Sequence, residues 1–164
     1  MKPVPKPKRV KKKKDISNLE KKKRDEFSTY WKTKCNTLTG HIWHTYYSTG
    51  ICCINTDKCN YWNNKPDMHH LIGKEHYLYT WDVPFNMIDI CHYCHDRFSK
   101  FGPHSTPELF IAWLAINYEE KWEYIKNNIG TITNKRDLPW TFKEKYYELL
   151  ELKERCEFQN NINY

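Results

Sequence analysis

Cys91 and Cys94, separated by His92 and Tyr93, are the most constrained pair of metal-binding side chains in the chain. Two thiolates at this spacing supply one edge of a tetrahedral zinc site from a single tight turn. The opposite edge must come from Cys52, Cys53 and Cys59. Five residues separate Cys53 from Cys59, closer to the usual ligand spacing than the interval from Cys52. The expected structural-zinc set is therefore Cys53, Cys59, Cys91 and Cys94, with Cys52 the alternative to Cys53. Cys35 and Cys156 stand alone and read as core-packing thiols. Three imidazoles join the pattern: His69 and His70 between Met68 and Leu71, and His95 directly after Cys94. Burying them near one another without a ligand leaves ring nitrogens unsatisfied, and a metal ion removes that cost. His41, His44, His76, His92 and His104 have no neighbours that constrain them equally and stay outside the set.

The elements that must position these groups are short. Met68 to Ile72 and Asn86 to Ile90 have the length and composition of two short strands, and His92 to Ser99 reads as the start of a helix. Before them, a helical lead-in is expected from about Asp15 to Lys34, then a strand or an aromatic-packed segment from Thr37 to Cys53. After them, Ser105-Thr-Pro-Glu108 reads as a capping box opening a helix that runs to Gly130. Thr141-Phe-Lys-Glu144 opens another to about Cys156. Trp113, Tyr118 and Trp122 read as packing residues of the first of these helices. The fold class expected is α+β.

Charge separates one end of the chain from the rest. The first 34 residues hold 14 Lys/Arg against 4 Asp/Glu, whereas the remainder holds 13 against 16. Residues 1–14 carry eight Lys/Arg, three Pro and no acid, a composition that cannot bury enough apolar surface to order itself and is expected to be a disordered basic tail. Lys11, Lys12, Lys13 and Lys14 in that tail attract nucleic acid through counterion release, and Arg97 and Lys100 would meet phosphates beside the central cluster. No run of eighteen apolar residues exists, so no membrane span is expected. The opening MKPVPKPKRVKKKK lacks the apolar stretch of a secretory leader. Together with an odd number of cysteines, seven, this favours an intracellular protein with reduced thiols.

The arrangement His69-His70, then Asn86-Met-Ile-Asp-Ile-Cys91-His-Tyr-Cys94-His95, resembles the ββα-metal finger of HNH endonucleases in its cysteine-rich form. The match spans about residues 52–99. The order of Tyr30-Trp31, Cys53/Cys59, His69-His70, Asn86, Cys91/Cys94 and Phe110-Ile-Ala-Trp113 is also diffusely similar to phage recombination nucleases of the NinG type. The resemblance implies a division into a tail (1–14), a helical and aromatic lead-in (15–51), an HNH-like core (52–104) and C-terminal helices (105–164). It further implies His69 and His95 as ligands of a catalytic ion, His70 as general base, and Asn86 as the residue that fixes the loop and the base. Many family members carry another His four residues after the position of His95. Here that residue is Ser99.

The implied function is hydrolysis of DNA phosphodiesters with a structural zinc and one catalytic divalent ion (Mg, Mn, Ni or Zn). Branched DNA is the implied substrate if the NinG-type likeness extends that far, and a homodimer would suit two coordinated nicks. The competing readings are a non-catalytic zinc-containing nucleic-acid-binding or viral assembly protein, and an RNA-binding accessory module.

Overall fold

The computed structural model describes residues 12–54, 59, 66–74, 76–96, 101–130 and 138–162. Lys11, Arg97, Ser99 and Lys100, like most of the tail, lie outside them. The architecture is mixed helix with a small two-stranded sheet. Its elements are α1 (Lys12–Ile42), a widened π-type turn (Trp43–Tyr47), β1 (Asp67–His70), β2 (Met87–Ile90), α2 (His92–His95), α3 (Pro107–Asn117), α4 (Glu119–Asn128) and α5 (Phe142–Ile162). No described helix is long and apolar enough to cross a membrane.

β2 organises the molecule. It pairs antiparallel with β1 in the register Asp67↔Ile90, Met68↔Asp89, His69↔Ile88 and His70↔Met87. All four of its residues are buried, which a strand can do only if both of its faces are covered. Successive side chains point to opposite faces, and the packing follows that alternation. Ile88 and Ile90 join a core with Phe110 and Leu114 of α3, Ile125 of α4 and the central cysteines. Met87 joins a second core with Cys35, Ile42 and Trp43, Trp81 and Val83, and Phe142 and Leu149 of α5. The sheet is thus a middle layer between the α3/α4 pair and the α1/α5 pair.

Asp89, the other residue on the α1 side of β2, is a buried carboxylate that pins the chain after α1. It accepts from the Trp43 indole Nε1 (2.8 Å), the Ser48 hydroxyl (2.9 Å to Oδ2), and the backbone N–H (2.8 Å) and hydroxyl (3.3 Å) of Thr49. Removing the acceptor strands several buried or half-buried donors at once. Asp89→Ala is therefore expected to lower stability by about 3 kcal/mol or more. Urea unfolding at fixed zinc content measures it, and a loss below about 1 kcal/mol would show the network to be incidental.

Four local expectations are corrected. The Thr37 to Cys53 segment is no strand: α1 continues to Ile42 because Cys35, Thr39, Ile42 and Trp43 are buried, and that burial outweighs the modest helix aversion of Thr and Ile. Lys12–Lys14, assigned to a disordered tail, form the first turn of α1. Thr106, not Ser105, caps α3, and it makes no side-chain cap bond; the Ser105 hydroxyl donates to the Gly102 carbonyl at 3.2 Å. The second capping box is present: Thr141 N–H donates to Glu144 Oε2 (2.6 Å) and Glu144 N–H to Thr141 Oγ1 (3.2 Å). The helix expected to run to Gly130 breaks at Tyr118 into α3 and α4, so that Leu114 and Ile125 enter one core. Trp113, Tyr118 and Trp122 pack against that core. Cys35 and Cys156 are buried, with Cys35 Sγ donating to the Phe142 carbonyl at 3.2 Å.

Candidate metal centres

Cys52, Cys59, Cys91 and Cys94 are all buried, and their sulfurs lie within 4.8 Å of one another. Cys59 and Cys94 are 3.4 Å apart at sulfur, and all seven cysteines are unbridged. Zinc–sulfur bonds of about 2.3 Å give a tetrahedron with edges of roughly 3.8 Å, a value between these two separations. Burial pushes the Cys91 thiol up to about 11 and raises Cys94 further. Thiols raised in this way become thiolates only beside a cation. This set could hold a structural metal such as zinc.

The set contains Cys52, where Cys53 was expected. The Cys53 backbone N–H donates to the Asp89 carbonyl at 2.8 Å, which anchors this turn beside β2. Cys52 is the buried one that reaches Cys91 and Cys94. Cys53 is only partly buried and stands outside the cluster.

A second group forms on the same frame. His69, His95 and His104 bring ring nitrogens within 4.8 Å of one another, with His95 Nε2 2.9 Å from His69 Nδ1. Ring centroids are 4.9 Å apart for His69 and His95, 4.6 Å for His95 and His104, and 5.8 Å for His69 and His104. Burial first, and the neighbouring imidazoles next, push His69 down to about 3 and lower His95 as well. Neutral imidazoles are the form that ligates metal. On its other side His95 Nδ1 lies 3.7 Å from the Asp96 carboxylate, the kind of partner that orients a ligating histidine.

His104 was missed by sequence reasoning. It arrives from the turn that precedes α3, and Gly102 explains how. A Cβ at position 102 would stand 2.6 Å from the Cys94 carbonyl oxygen and 3.0 Å from that of Asp96. Only glycine lets this turn press against the end of α2. The Ser105 and Thr106 backbone N–H groups then both donate to the Gly102 carbonyl, at 3.2 and 3.0 Å, closing the turn around His104. The usable signal was Gly102 two residues before a histidine, eight positions after Cys94.

His70 faces the same cleft, a space of about 390 Å³ lined by Met68, His69, His70, Gly73, Lys74, His95 and His104. Its Nε2 lies 3.1 Å from the Thr80 carbonyl. A carbonyl only accepts, so Nε2 carries the proton and Nδ1 holds the lone pair. Burial first, then Lys74, lower His70 to about 4, which keeps it neutral near pH 7. Asn86 does not bond to His70. It is wholly buried and ties the turn together: the Ile72 N–H donates to its Oδ1 at 2.7 Å, and its Nδ2 donates to the carbonyls of Ile72 (3.1 Å) and Tyr79 (2.9 Å). Tyr79 precedes Thr80, so Asn86 holds the segment whose carbonyl orients His70.

Comparison with protein-family models, curated proteins and solved structures returned no match.

Proposed function

We propose that the protein is a metal-dependent DNA endonuclease built on an HNH-like ββα-metal finger. The observation that carries this reading is the pairing of an oriented neutral histidine, His70, with three converging imidazoles in one cleft. Cys52, Cys59, Cys91 and Cys94 hold zinc for folding. His69, His95 and His104 hold the second ion, so that His104 takes the place for which Ser99 is unsuited.

That ion, when bound, supplies Lewis-acid stabilisation of charge on the phosphate and the leaving oxygen. His70 Nδ1 accepts the proton of the attacking water, while the Thr80 carbonyl keeps the ring from rotating. Lys74, at the rim of the cleft, presents a positive charge to the scissile phosphate. An imidazole triad suits Zn, Ni or Mn directly, whereas Mg would bind mainly through water. The basic residues of the N-terminal region, including Lys11–Lys14, and Arg97 and Lys100 after the finger, add salt-dependent attraction for the DNA backbone.

The test is incubation of zinc-loaded protein with linear, single-stranded and branched DNA, and with RNA, across Mg, Mn, Ni and Zn. Ion-dependent cleavage of DNA is expected. Binding without cleavage of any substrate would favour the non-catalytic reading, and cleavage of RNA alone would overturn the choice of DNA.

The delivery of His104 gives a sharper consequence. Gly102→Ala must push the turn off the α2 carbonyls, because backbone atoms cannot yield to a Cβ at 2.6 Å. Affinity for the second ion is expected to fall about tenfold or more, the scale of disturbing a ligand's support, with the structural zinc retained. Metal titration of the zinc-loaded variant measures this, and unchanged affinity would remove His104 from the ligand set.

A further inference from the structure

We propose that the groove between α1 and the start of α5 receives one unstacked nucleotide from a single-stranded segment of the DNA substrate, an inference that rests on the DNA reading above. The groove encloses about 330 Å³, at the small end of ligand clefts. It admits one nucleotide and excludes a duplex.

Its lining combines two chemistries. Phe27, Trp31 and Trp140 supply aromatic surface, and Arg24 and Lys143 supply positive charge, with no carboxylate among the described lining residues. Phe27 leaves 58% of its surface in water and meets Trp31 edge-on at 6.0 Å. Lys143 Nζ stands 5.9 Å from the Trp31 ring centroid, so a cation sits beside the aromatic wall. A planar base joined to an anionic phosphate meets both features together. Stacking on such rings is tolerant of sequence, as single-strand binding requires. Of the consecutive cations Lys21, Lys22, Lys23 and Arg24 on α1, Arg24 is the one that lines the groove.

The test uses full-length, zinc-loaded protein and fluorescence anisotropy of a labelled oligothymidylate and of a duplex of equal length. Phe27 is exposed, so Phe27→Ala leaves the fold intact, which zinc content verifies. It is expected to weaken oligothymidylate binding roughly tenfold or more without changing the salt dependence, while duplex affinity stays as in the wild type. Arg24→Ala with Lys143→Ala is expected to lower the logarithmic salt slope for oligothymidylate by about 1.4, the value for two phosphate contacts on a single strand. Wild-type oligothymidylate affinity in Phe27→Ala, equal losses for single strand and duplex, or Phe27-dependent binding of an acidic peptide but not of oligothymidylate would each overturn the proposal. Cleavage assays on the same samples separate the two readings. Cutting by wild type with no effect of Phe27→Ala on single-strand binding rejects the groove alone, and Phe27-dependent binding with no cutting rejects the nuclease alone.

Discussion

Cys52→Ser is expected to release the structural metal and collapse the centre of the molecule, whereas Cys53→Ser, one residue away, should leave both in place. The four sulfurs are buried in the core that also holds Ile88, Ile90, Phe110 and Leu114. That core has little to replace the metal, because much of its centre is cysteine. Binding of zinc to such a site is worth on the order of 10 kcal/mol, comparable to the whole stability of a domain this size. Elemental analysis of reduced, folded protein should give about one tightly held zinc per chain in the wild type and in Cys53→Ser. Near-ultraviolet circular dichroism of Cys52→Ser should lose the signal of the packed aromatics. Retention of zinc by Cys52→Ser together with its loss from Cys53→Ser would reverse the ligand assignment.

His70→Ala is expected to lower the rate of DNA cleavage by about 10² to 10⁴, the usual cost of removing a positioned proton acceptor, while both metal centres keep their affinity. The separation is possible because His70 makes its hydrogen bond to Thr80 and not to the imidazole triad. His69→Ala is expected to behave differently: activity should recover in part at high ion concentration, since His95 and His104 remain. A His70→Ala rate that also recovers with added ion would mark His70 as a ligand instead of a base.

Much of the frame around the two centres was legible because it depends on short-range chemistry. The strands flanking the long turn, the Thr141–Glu144 cap and the thiols of Cys91 and Cys94 on one turn follow from neighbouring residue types. What escaped depends on packing between distant segments. Helix α1 overruns its expected end because α5, more than a hundred residues later, covers Cys35 and Ile42. Cys52 stands in the cluster in place of Cys53 because the turn that holds them is anchored to the Asp89 carbonyl, a contact between distant segments that interval counting ignores. His104 was passed over because its approach depends on a close glycine contact with the α2 carbonyls, not on spacing from another histidine. Asp89 drew no reading from the sequence, and its role appears only once Trp43, Ser48 and Thr49 fold over it.

The same contrast separates the two histidines of β1. Adjacent on one strand, they point to opposite faces. His69 meets His95, His104 and the edge of Phe110 on the cysteine side. His70 turns toward Thr80 at the strand end. Both nevertheless line one cleft.

Nicking of supercoiled plasmid DNA by wild-type protein carrying only its structural zinc, before and after a second divalent ion is supplied, tests the nuclease reading most directly. The DNA should stay intact before the addition and be cut after it, with His104→Ala requiring more ion to reach the same rate. Intact plasmid with every one of Mg, Mn, Ni and Zn, in protein that is folded and holds its zinc, would contradict the reading.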